Sequence, residues 1–95
     1  MDLKNDCISV RCDNEQEWYS VQDYLFSLGI RWPGNKKYSH WCCENRFIIL
    51  NFLDEYLCHS GGTYYHPEIK YYTTAKLLLR YQKLRKLNYE NDLCR

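Results

Sequence analysis

Residues Cys7–Gly29, CISVRCDNEQEWYSVQDYLFSLG, hold the pattern that decides the fold. Over Cys7–Cys12 the apolar Ile8, Val10 and Cys12 alternate with Cys7, Ser9 and Arg11, the period-two signature of a half-buried strand. The period then changes. Asp13-Asn14-Glu15-Gln16-Glu17 supplies an N-cap, with Asn14 and Glu17 spaced as a capping box and acids placed to suit the helix dipole. Trp18, Val21, Leu25 and Leu28 recur at three- and four-residue steps, and Gly29 stands where a C′ glycine stops a helix. A strand running into an amphipathic helix predicts an α+β domain.

Downstream, Ile30-Arg31-Trp32 reads as a short strand ended by Pro33-Gly34-Asn35, with Lys36-Lys37 a loop tip. Tyr38–Cys43 and Arg46–Phe52 read as a hairpin turning at Glu44-Asn45. Phe47–Phe52 is apolar on both faces, as a central strand is. Asp54–Ser60 reads as a helical turn closed by Gly61-Gly62. Thr63–Tyr72 reads as a loop or extended segment, since Pro67 opposes a central strand. Thr73 or Thr74 caps a last helix over about 75–87, with Leu77, Leu78, Tyr81 and Leu84 facing inward, Lys76, Arg80 and Lys83 on another stripe, and fraying from Asn88. The expected architecture is a small antiparallel sheet (strand, helix, strand, hairpin) with a helix on one face and a C-terminal amphipathic helix, all in one domain of 95 residues.

Composition narrows the function classes. The polar start Met1–Asp6 does not read as a signal peptide and no apolar run approaches a membrane span, so an intracellular chain with reduced thiols is expected. The six cysteines contain no C-x-x-C pair, and Cys42-Cys43 would point to opposite sheet faces, so neither a metal site nor a cofactor is expected. Asp54-Glu55 is an adjacent carboxylate pair in a turn, and Gly61-Gly62 lacks the lysine of a phosphate loop. No pair of titratable groups has a shared geometry that would suit catalysis. The chain reads as a binding protein and not an enzyme.

Aromatic residues reach 17%, ten of them tyrosine. Two groups interleave rings with positive charge: Trp32, Lys36, Lys37, Tyr38 and Trp41, then Tyr64, Tyr65, His66, Lys70, Tyr71 and Tyr72. Rings that stack and cations that neutralise phosphate are what a nucleotide needs, and they equally suit a protein interface. The candidate binding residues are therefore Arg31, Trp32, Lys36, Lys37, Tyr64, Tyr65, Lys70 and Tyr71. Charge is uneven: residues 1–69 carry six Lys/Arg against ten Asp/Glu, whereas 70–95 carry seven against two. The basic last helix offers a rival reading, a nucleic-acid-binding regulator, which a net charge of +1 disfavours. The small core and the aromatic excess also suggest a homo-oligomer.

The segment Asp13–Trp32, with its acidic N-cap, Trp18, Val21-Gln22, Leu25-Phe26-Ser27-Leu28-Gly29 and closing Trp32, resembles small accessory proteins of tailed bacteriophages over about residues 7–53. The resemblance implies a non-enzymatic early-region protein, of counter-defence type, acting in the host cytoplasm. Its partner would be a host protein or a small signalling nucleotide. It brings no catalytic residue with it.

Overall fold

A computed structural model describes residues 2–34, 37–42, 45–52, 55–61 and 66–93. The order of elements is β1 (Ile8–Arg11), α1 (Glu15–Ser27), β2 (Asn45–Phe52), β3 (Glu55–Gly61), β4 (Tyr71–Thr74) and α2 (Ala75–Leu93). The fold is α+β, with two helices and a mixed sheet.

α1 begins and ends as its sequence dictates. Asn14 Oδ1 accepts from Glu17 N at 2.8 Å, and Glu17 Oε1 accepts in return from Asp13 N at 3.1 Å. At the other end Gly29 has φ +83°, and its N–H donates to Phe26 O while Ile30 N–H donates to Leu25 O. This is the Schellman pattern, in which a residue with left-handed backbone satisfies the last carbonyls.

The sheet order is β3-β2-β1-β4. β1 pairs antiparallel with β2 (Ile8 opposite Leu50, Val10 opposite Ile48) and parallel with β4 (Ile8 opposite Tyr71, Val10 opposite Thr73). The parallel pair corrects the all-antiparallel expectation. Pro67 lies in a turn ahead of β4, so the strand begins after the residue that would have interrupted it. Ile8, Val10, Ile48, Leu50 and Leu57 form one core with Trp18, Val21 and Leu25 of α1 and Ala75 and Leu78 of α2. Ile49 lies in a second cluster with Phe52 and Ile69.

Further expectations change. Ile30–Trp32 forms no strand, and 38–41 is irregular, with Cys42 in an isolated bridge. Asp54–Ser60 was expected as a helical turn, but Glu55–Gly61 is β3, antiparallel to β2. The free edge of β2 offers ladder partners that outweigh a weak local helical tendency. α2 extends to Leu93, past the expected end at 87. Among its described side chains Ala75 and Leu78 are buried, whereas Leu77, Tyr81 and Leu84, expected inward, are exposed. Glu44, Asp54 and Gly62 lie outside the described residues.

Asn51 has φ +59°, and its Nδ2 donates to Leu3 O and Asp6 O, both at 2.9 Å. The side chain ties the N-terminal turn to the end of β2. Asn tolerates this backbone where Ala does not. Asn51→Ala should lower unfolding free energy by about 2 kcal/mol, and Asn51→Gly by roughly 1 kcal/mol less, since Gly loses the tether but not the backbone fit. Urea unfolding of both variants checks the ordering.

Candidate functional site

The segment from Ile30 to Trp41 is held to α1 by side chains. Gln22 lies on the inward stripe of α1 and is fully buried. Its Nε2 donates to Trp18 O at 3.3 Å and Ser39 O at 3.0 Å, and its Oε1 accepts from Ser39 N at 2.8 Å and Trp32 Nε1 at 2.7 Å. Trp18 Nε1 also donates to Ser39 O, at 2.7 Å. The glutamine amide pairs with the backbone of Ser39 at two points, as a neighbouring strand would. This replaces a ladder and explains why no strand forms here. Trp41 packs edge-on against Trp18 at 5.7 Å between ring centres.

This anchoring fixes an aromatic surface outside it. Tyr38, 43% exposed, meets the rings of Phe26 at 5.2 Å and Tyr19 at 6.0 Å, both edge-on. Tyr38 OH donates to Asp23 Oδ1 at 2.6 Å, and this hydrogen bond raises the phenol pKa above its ordinary value. The Arg31 guanidinium lies 5.6 Å from the centre of the Phe26 ring. Tyr19 OH accepts from Trp41 N at 3.3 Å and lies 3.4 Å from His40 Nδ1. Lys37 and His40 are exposed at the margin. The surface thus presents two rings, a cation with a delocalised plane and a hydrogen-bonded phenol in fixed relation.

Of the candidate residues, Arg31 belongs to this surface and Lys37 to its rim. Trp32 does not present a ring for stacking: it is 4% exposed and bound through Nε1 to Gln22. Lys70 and Tyr71 lie elsewhere, at the β1–β4 edge. Lys70 Nζ is 3.4 Å from Asp6 Oδ1 and 5.4 Å from the centre of the Tyr71 ring, and the Asp6 charge raises its pKa. Lys36, Tyr64 and Tyr65 lie outside the described residues. Tyr19, Asp23 and Phe26 were not singled out by sequence, although their four- and three-residue spacing places them on one outward stripe of α1.

Compared with family models, curated proteins and solved structures, the chain matches none.

A depression of about 260 Å³ is lined by Lys4, Leu28, Gly29 and Ile30. None of the described candidate residues contributes to it, and it falls below the usual span of small-molecule pockets. Among the described residues no helix is long and apolar enough to cross a membrane.

Cys12 is buried, and burial pushes its thiol pKa from an ordinary 9.0 to about 12, with Glu17 and Asp13 adding to the shift. The folded state therefore favours the neutral thiol. Its contribution to stability is present below pH 9 and is lost as pH rises toward 12. At pH 8, Cys12 should stay unlabelled by iodoacetamide while the exposed Cys42 reacts, and should label once urea unfolds the chain. Peptide mass mapping reads both; labelling of Cys12 at the rate of Cys42 in the folded protein contradicts the burial.

Proposed function

We propose that this chain is a non-enzymatic binding domain that docks on a partner protein through the surface of Tyr19, Phe26, Arg31 and Tyr38. The observation that carries the reading is the Gln22–Ser39–Trp32 network beneath it, which holds Tyr38 exposed in one orientation. Tyrosine and arginine are the side chains that anchor protein interfaces, and a pre-ordered surface loses little entropy on docking. The resemblance of residues 13–32 to phage accessory proteins supplies the class of partner, a host factor such as a defence component. The chain would act by covering that factor's surface in the host cytoplasm.

Nucleotide capture is the weaker mechanism. It asks Trp32, Tyr64, Tyr65 and Tyr71 to stack and Arg31, Lys36, Lys37 and Lys70 to hold phosphate; of the described ones, Trp32 is buried, and Arg31 lies against Phe26 while Lys70 lies against Tyr71. Titration calorimetry with cyclic oligonucleotides and ADP-ribose derivatives decides between the two. Protein docking predicts no heat from either; saturable heat at micromolar ligand reinstates capture.

The rival reading, a nucleic-acid-binding regulator, has one observation in its favour: Lys76, Arg80 and Lys83 are exposed on α2. Against it stands the acidic balance of residues 1–69, which repels phosphate. Filter binding at low salt tests it, and retention that falls steeply with salt would support it.

A further inference from the structure

α2 is apolar on two faces. Ala75 and Leu78 are buried, with Leu79 and Gln82 half-buried beside them, and this side packs on α1, β1 and β4. Leu77, Tyr81 and Leu84 follow one another at four- and three-residue steps on a second stripe, and are 59%, 37% and 52% exposed. At about 100° per residue this stripe lies roughly 140° around the helix from the buried one. Thr74 Oγ1 accepts from Leu77 N at 3.3 Å, so the stripe begins on a capped first turn. Lys76, Arg80 and Lys83 are exposed along one flank of it. A solvated helix face has no use for two leucines more than half exposed two turns apart, and a core helix does not need a second apolar stripe.

We infer that the Leu77–Tyr81–Leu84 stripe is a second docking surface, and that its occupant is an acidic amphipathic helix of a partner protein. Charge selects this occupant. In an antiparallel pairing of two copies through the stripe, each flank meets the same flank of its partner, so Lys76, Arg80 and Lys83 would face their own equivalents. A helix with leucines at matching spacing and glutamates beside them fills the stripe and neutralises the flank. Nucleic acid would satisfy the flank but leave Leu77 and Leu84 in water, and a membrane surface is separated from a helix by the vesicle arm of the test below.

The test uses the whole chain, labelled with nitrogen-15, and a synthetic helical peptide with leucines at positions i, i+4 and i+7 flanked by glutamates. The same peptide with lysines replacing the glutamates serves as its counterpart. The inference predicts amide shift changes centred on Leu77, Tyr81 and Leu84, and roughly tenfold weaker binding of the lysine peptide. Leu77→Ser with Leu84→Ser should abolish the shifts while leaving the thermal midpoint within a few degrees. Arg80→Glu with Lys83→Glu should reverse the peptide preference, which tests the inference even where the serine variant folds poorly. Equal affinity for both peptides, or shifts centred elsewhere, overturns it. So does sedimentation showing a dimer that the serine variant dissolves, or stronger binding to phosphatidylglycerol vesicles than to the glutamate peptide.

Discussion

Replacing Gln22 by leucine should destabilise the protein by about 3 kcal/mol or more, a large share of what a domain of this size possesses. Leucine keeps the volume, so little of the loss would come from packing. It would come from Ser39 N–H and Trp32 Nε1, which both donate to Gln22 Oε1, whereas Ser39 O keeps its bond from Trp18 Nε1. Each buried polar group deprived of its partner costs about 1–3 kcal/mol. The loss should also be local. Near-ultraviolet circular dichroism should lose the tryptophan signal of Trp18, Trp32 and Trp41 at urea concentrations where far-ultraviolet signal persists, because the 30–41 segment leaves α1 before the sheet opens. A destabilisation below about 1 kcal/mol would mean that the segment is held by its apolar contacts alone.

Tyr38→Ala combined with Arg31→Glu should weaken docking on the partner protein by about a hundredfold or more, in line with the loss of two anchor side chains. Both residues are exposed, so the variant should stay folded, although Tyr38→Ala gives up the ring contacts and the bond to Asp23. Tyr38→Phe is the informative companion. It keeps the ring against Phe26 and Tyr19 but removes the hydrogen bond to Asp23. That bond holds the phenol protonated, so its contribution is present below pH 10 and disappears as pH rises through the raised pKa. Ultraviolet titration should therefore show a tyrosine ionisation above pH 10 that is missing from Tyr38→Phe.

How the chain announces its own structure differs from element to element. α1 is written locally: Asn14, Glu17 and Gly29 make their cap contacts within the segment that names them. β1 and β2 follow from alternation and from a continuous apolar run. The 30–41 segment could not be read the same way, because its backbone partner is a side chain seventeen residues earlier. The clue was present in Gln22 itself, a polar residue on the inward stripe of Trp18, Val21 and Leu25, which must find partners when buried. β3 depended on an edge elsewhere in the sheet, which no local pattern encodes. α2 carries two apolar stripes, and periodicity alone could not say which one faces the core. For the site, the sequence marked the loop around Arg31, Lys37 and Tyr38, but not that Trp32 would turn into the core against Gln22 while Tyr38 stays exposed. Tyr19 and Phe26 read as ordinary helix positions until the loop folds back over them.

The measurement that bears most directly on the binding surface is affinity capture from bacterial lysate with the wild-type chain and the Tyr38→Ala/Arg31→Glu variant side by side, followed by mass spectrometry of bound proteins and of small molecules released by heat. Docking through this surface predicts a protein retained by the wild type and lost by the folded variant, with no nucleotide released from either. Equal retention of every protein by both chains, or a nucleotide released in stoichiometric amount from the wild type, would contradict it.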